Sequence, residues 1–212
     1  MSTFLPMFPL QLVVFPDENL NLHIFEPRYK QLIRECETQG ITFGIPTYLN
    51  GKVMDIGTEV KLLSIEKRYP SGEMDIKTQG LGTFKIQEFY KIAPERLYAG
   101  ADVERLETQP SEGDYVLAEQ VLNAVRDLFD LLNVQKELPD VPNAFRTFDW
   151  AHHVGLSTEQ EYTLLCLADE NQRLKYLKSH LDELLPRVRE VEEVRRKAQM
   201  NGHFKNVIPP DL

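Results

Sequence analysis

The chain is expected to be an α+β protein. A β-rich, barrel-like domain should cover residues 1–108 with one helix inserted in it, and an α-helical bundle should cover 109–212. Three observations predict this. Apolar and polar residues alternate with period 2 in the first half, as in Leu20-Asn21-Leu22-His23-Ile24 and Met74-Asp75-Ile76-Lys77-Thr78. Leucine and valine recur at helical spacing in the second half. Between them lies the polar stretch Glu107-Thr108-Gln109-Pro110-Ser111-Glu112-Gly113-Asp114, which reads as a domain boundary.

The elements follow in order. Phe4 to Leu10 and Gln11 to Phe15 are short apolar runs broken by Pro6, Pro9 and Pro16, so they suit strand ends, edges or bulges. Leu20 to Ile24 is a strand. Pro27 marks a helix start, where its missing N–H costs nothing. Phe25, Tyr29, Leu32, Ile33 and Cys36 form the apolar face of that helix, and Gly40 stops it. Strands resume at Thr42 to Ile45. Gly51-Lys52 reads as a hairpin turn, and Pro70-Ser71-Gly72-Glu73 joins the arms Gly57 to Tyr69 and Met74 to Phe89. Gly80-Leu81-Gly82 predicts a bulge in the second arm. Tyr98 to Leu106 is a last strand.

Beyond the boundary, Leu117, Val121, Val125, Leu128 and Leu132 predict a helix, and a short helix is expected over Ala144 to Val154. Ser157-Thr158-Glu159-Gln160 has the form of a capping box, in which serine and glutamine side chains satisfy each other's loose backbone donors. Leu174, Leu177, Leu181 and Leu184 make a further apolar face, which Pro186 should stop or kink. Arg187 to Met200 reads as a charged helix capped by Asn201-Gly202.

Composition narrows the function classes. The 212 residues carry a net charge of −9, which argues against phosphate-backbone binding through clustered Lys and Arg. No apolar run reaches the roughly 18 residues of a membrane span. The first residues lack the basic and apolar pattern of a secretory signal, and Cys36 and Cys166 read as free thiols, so the cytoplasm is the expected location. Gly51-Lys52 lacks the upstream glycine and following Ser or Thr of a phosphate-cradling loop. His152-His153 are adjacent and point about 100° apart on a helix, a poor metal pair. No cofactor, metal or catalytic residue is expected. Cys36 and Cys166 are read as small apolar groups.

Several blocks fall together in one order: Phe8-Pro9-Leu10, Val14-Phe15-Pro16, Leu22-His23-Ile24-Phe25-Glu26-Pro27-Arg28-Tyr29, Phe43-Gly44, Gly57-Thr58 and Gly80-Leu81-Gly82-Thr83-Phe84. In this they resemble the N-terminal, substrate-binding domain of Lon proteases. The resemblance implies a six-stranded, PUA-like pseudobarrel continuing into a small helical bundle. It implies a non-catalytic module without the Lon ATPase or Ser–Lys protease, one that recognises unfolded or peptide segments of other proteins and works beside a protease or chaperone. Where the family usually has glycine after the Phe-Pro corner, this chain has Asp17.

Candidate polypeptide-binding residues are Phe15, Leu20, Leu22 and Tyr48, apolar groups near strand ends or loops. Glu26 and Arg28 flank Pro27. They read either as a local pair at the strand-to-helix junction or as the rim of a peptide groove. The alternative function is that of an RNA-binding PUA-like protein, an analogy of fold that the acidic balance weakens.

Overall fold

The computed structural model of the chain describes residues 2–106 and 113–203, and side chains as far as residue 199. Residues 107–112 of the expected boundary, and the tail beyond 203, lie outside these. The protein is α+β, as expected.

Six strands build one sheet: β1 (Thr3–Met7), β2 (Asn19–Ile24), β3 (Phe43–Leu49), β4 (Lys52–Arg68), β5 (Met74–Tyr90) and β6 (Ala99–Arg105). Their order is β2-β5-β4-β3-β1-β6, and β5 also pairs with β6. The strands β5, β4, β3, β1 and β6 therefore close on themselves, which removes most edges. Among the described residues, strand β2 attaches only to β5. Tight turns set the register. Asn50 and Gly51 both have positive φ, 50° and 79°, and turn β3 into β4. Gly72, at φ 79°, turns β4 into β5 and donates to the Tyr69 carbonyl at 2.8 Å.

The bulge predicted at Gly80-Leu81-Gly82 is present: Glu59 pairs with Gly82 and Val60 with Gly80, leaving Leu81 over. Glycine is required at 80, because a Cβ there would meet the Phe15 carbonyl oxygen at 2.3 Å. Gln11 to Phe15 is not a strand. Its Val13, Val14 and Phe15 are buried, and their apolar character reflects that burial rather than sheet pairing.

Helix α1 (Pro27–Gln39) starts at its proline and ends at Gly40, whose φ of 68° lets its N–H reach the Cys36 carbonyl. Tyr29, Leu32, Ile33 and Cys36 are buried in the barrel core, whereas Phe25, expected on the same face, precedes the helix and is exposed. Burial pushes the Cys36 thiol up to about 12. Cys166, by contrast, is exposed, contrary to its reading as a small buried group.

The described chain divides into two compact units, but not at one point. Residues up to 106 group with Phe148–Asp169, and residues 113–147 group with Glu170 onward. This differs from a single change of domain between 108 and 109. The physical reason is side-chain contact. The Phe148 ring stacks on Phe15 with centroids 4.8 Å apart, and the Ile56 N–H donates to the Tyr162 hydroxyl at 3.2 Å. Within this returning segment Ala151, Val154, Leu164 and Leu165 are buried, and the capping box of Ser157 and Gln160 starts α4 (Thr158–Leu165).

The second unit rests on α2 (Tyr115–Leu131) and α5 (Glu170–His203). The short α3 (Thr147–Trp150) starts at Thr147 of this unit, and its remaining residues group with the barrel unit. Asp114 caps α2 by accepting from the Leu117 N–H at 2.9 Å. Val121, Val125 and Leu128 are buried as expected, with Leu122 and Phe129, while Leu132 is exposed. In α5 the buried leucines are Leu174, Leu177, Leu181 and Leu185, the last in place of Leu184. This helix does not stop at Pro186 or at Asn201-Gly202 but runs 34 residues. The buried Glu170 carboxylate accepts from the Thr147 N–H and hydroxyl at 2.7 and 2.6 Å.

Candidate functional site

The barrel unit carries a cleft of about 510 Å³. Four separate segments bring its walls together. Strand β1 supplies Phe4 and Pro6, the end of α1 supplies Glu35 and then Ile41 and Thr42, the loop before β6 supplies Pro94, Arg96 and Tyr98, and the end of β6 supplies Arg105. The Gly40 stop matters here, since it turns the chain sharply enough to place Ile41 and Thr42 on the cleft wall.

The polar groups form two clusters. Glu35 accepts from the Tyr98 hydroxyl at 2.5 Å and from Gln31 Nε2 at 3.0 Å, and it pairs with Arg96 Nε at 3.0 Å. Glu59 accepts from Arg105 Nε at 2.6 Å and Nη2 at 3.0 Å, and from the Thr42 hydroxyl at 2.5 Å. Burial and the neighbouring Glu35 carboxylate push the Tyr98 phenol up to about 12, away from proton transfer near neutral pH. Burial would raise the Glu59 carboxyl, but the bonds from Arg105 and Thr42 outweigh it and hold it below its ordinary value. Each charge is thus already answered within the fold. Such a cleft can hold an apolar side chain against Phe4, Pro6, Ile41 and Pro94, with polar atoms at the rim to meet a backbone. Among the described residues no group of three or more His, Cys, Asp or Glu side chains is placed to hold a metal ion.

None of the six candidate binding residues lines this cleft. Phe15 is 1% exposed, sealed beneath Phe148 and His152, so it offers no surface to a ligand. Leu20 and Leu22 are half-buried on β2 and pack against the barrel core. Glu26 and Arg28 pair with each other at 2.8 Å, and the Arg28 guanidinium lies over the Tyr29 ring. Tyr48 is exposed near the end of β3, beside the register shift between Pro46 and Tyr48. Sequence reasoning missed Phe4, Ile41, Pro94, Arg96 and Arg105. The one local signal was the helix stop at Gly40, which placed Ile41 and Thr42 at a corner.

These features define an α+β domain with a closed barrel, an inserted helix and appended helices. The chain belongs to the family of the ATP-dependent protease La (LON) substrate-binding domain, whose family model matches residues 4–183. Among solved structures it is similar to a Lon N-terminal domain protein from Xanthomonas campestris, at 26% identity and a TM-score of 0.65, covering 84% of this chain and 98% of that one. It shares its fold with the N-terminal domain of a Mycobacterium avium complex Lon protease, at 16% identity and a TM-score of 0.61, covering 85% of this chain and 98% of that one. No curated protein matches the chain. Among the described residues no helix is long and apolar enough to cross a membrane.

Proposed function

We propose that the chain is a non-catalytic module that recognises unfolded or peptide segments of other proteins and acts in the cytoplasm beside a separate protease or chaperone. The observation that carries this is the match to the Lon substrate-binding domain across residues 4–183. The mixed apolar and polar cleft supports it. Its cations, Arg96 and Arg105, are already engaged by Glu35 and Glu59, so the cleft lacks the free basic patch that an RNA reading needs. The free thiols Cys36 and Cys166 suit a reducing compartment.

The test is fluorescence anisotropy with labelled, reduced and carboxymethylated α-lactalbumin. Saturable binding is expected, weakened about tenfold by Ile41→Asp, which corresponds to about 1.4 kcal/mol. Indifference of the folded protein to this and other unfolded polypeptides would sink the proposal.

A further inference from the structure

A strand with a neighbour on one side presents a row of unpaired N–H and C=O groups on the other. Strand β2 is in that position, because among the described residues it pairs only with β5. The pairing is regular over its whole length, from Asn19 opposite Gln79 to Ile24 opposite Met74, without a register shift. The Glu18 carbonyl accepts from the Gly80 N–H at 2.8 Å, and the Leu20 carbonyl accepts from the Thr78 hydroxyl at 3.0 Å. The backbone groups of these alternate residues therefore face β5. Those of Asn19, Asn21 and His23 face the open side. The same alternation sorts the side chains. Asn19, Asn21 and His23 are exposed, while Leu20 and Leu22 are half-buried on the core face, with β5 on one side and no strand on the other among the described residues.

Open edges are normally defended by lysine, proline or a bulge. Another open edge of this barrel is defended. Beyond Val60 strand β4 pairs, among the described residues, only with β5, and there it carries Lys61, Glu66, Lys67 and Arg68 and two register shifts. Strand β2, Asn-Leu-Asn-Leu-His-Ile, has none of these devices.

We propose that the open edge of β2 accepts an extended segment of another polypeptide as an added strand. The main-chain groups of Asn19, Asn21 and His23 supply the hydrogen bonds. Alternate apolar side chains of the incoming segment cover Leu20 and Leu22. A second copy of this chain fits less well, since each copy brings a net charge of −9, whereas a segment with basic flanks is attracted. This inference rests on the polypeptide-recognition reading but places a second binding element away from the cleft.

The probe is a labelled peptide of about seven residues, alternating valine and threonine between terminal lysines. Its binding is read by anisotropy against the whole protein. Asn21→Pro removes an outward N–H that has no partner among the described residues. It is expected to weaken binding at least tenfold, with Asn21→Ala and Ile41→Asp near wild type. Two further peptides carry N-methyl groups on alternate amides, one set each. One of them should bind and the other should bind at least tenfold more weakly, a readout that stands even if Asn21→Pro does not fold. Equal binding of both methylated peptides would overturn the inference, as would peptide binding lost in Ile41→Asp but not in Asn21→Pro. Self-association abolished by Asn21→Pro would overturn it in favour of a second copy. Binding of carboxymethylated α-lactalbumin without binding of the peptide would overturn this inference alone. Binding of neither would overturn both readings.

Discussion

Asp17 shows how much one residue can change locally. It stands at φ 64°, a left-handed conformation that costs a side chain of ordinary shape about 1 kcal/mol and glycine almost nothing. Its neighbour Glu18 helps hold the corner, since the Glu18 carboxylate accepts from the Phe15 N–H at 2.8 Å. Asp17→Gly should raise stability by about 0.5–1 kcal/mol, seen as a higher urea midpoint at unchanged slope. Gly80→Ala should do the reverse. Its Cβ would strike the Phe15 carbonyl, and backbone displacement of that kind costs about 1–3 kcal/mol by the same measurement. His152 adds a dependence on pH. Hydrogen bonds to Glu161 at 2.7 Å and to Glu18 at 3.3 Å push it up to about 10. Its unfolded value is near 6.5, so the folded state binds the proton more tightly. The stabilisation is therefore complete below about pH 6.5 and is lost as pH rises towards 10. Thermal midpoints of the wild type should fall across that window, and those of His152→Gln should fall less.

Among the elements, α5 departs furthest from expectation. Proline at 186 cannot donate to the carbonyl of Asp182, yet the helix continues through it. Buried leucines before it and exposed ion pairs after it, such as Lys197 with Glu193 at 2.7 Å, hold both halves helical. Pro186→Ala should stabilise the helical unit by about 1–3 kcal/mol, read as slower hydrogen exchange around residues 182–190 with the barrel amides unchanged. Where chemistry is local, the sequence was a sufficient guide. Pro27 and Gly40 bounded α1, Pro70 to Glu73 marked the hairpin, the paired glycines marked the bulge, and Ser157 with Gln160 marked α4. Where meaning depends on distant partners it was not. Val13 to Phe15 looks like a strand because buried apolar runs and strands share a composition. Phe15 looked available because nothing near it in sequence reveals Phe148. The cleft has no motif, since its walls come from four places that only the closed barrel brings together.

For the whole molecule, the division into units follows side-chain contact rather than chain order. Phe148–Asp169 completes the barrel unit although it follows the first helix of the other unit. A fragment of residues 1–110 should therefore be less stable than the same unit in the full chain. Its Phe15 would lose the stacked Phe148 ring, and the Ile56 N–H would lose Tyr162. Loss of contacts of this size is expected to cost about 2–4 kcal/mol, measurable as a lower urea midpoint and as dye binding to newly exposed apolar surface.

Translation makes the same interleaving a matter of timing. All six strands leave the ribosome before the piece that closes over Phe15 has been made. At ordinary synthesis rates the nascent barrel waits on the order of seconds in an unfinished, sticky form. During that interval the newborn protein resembles the unfolded clients it is proposed to bind, and a chaperone at the exit tunnel would meet it first as cargo.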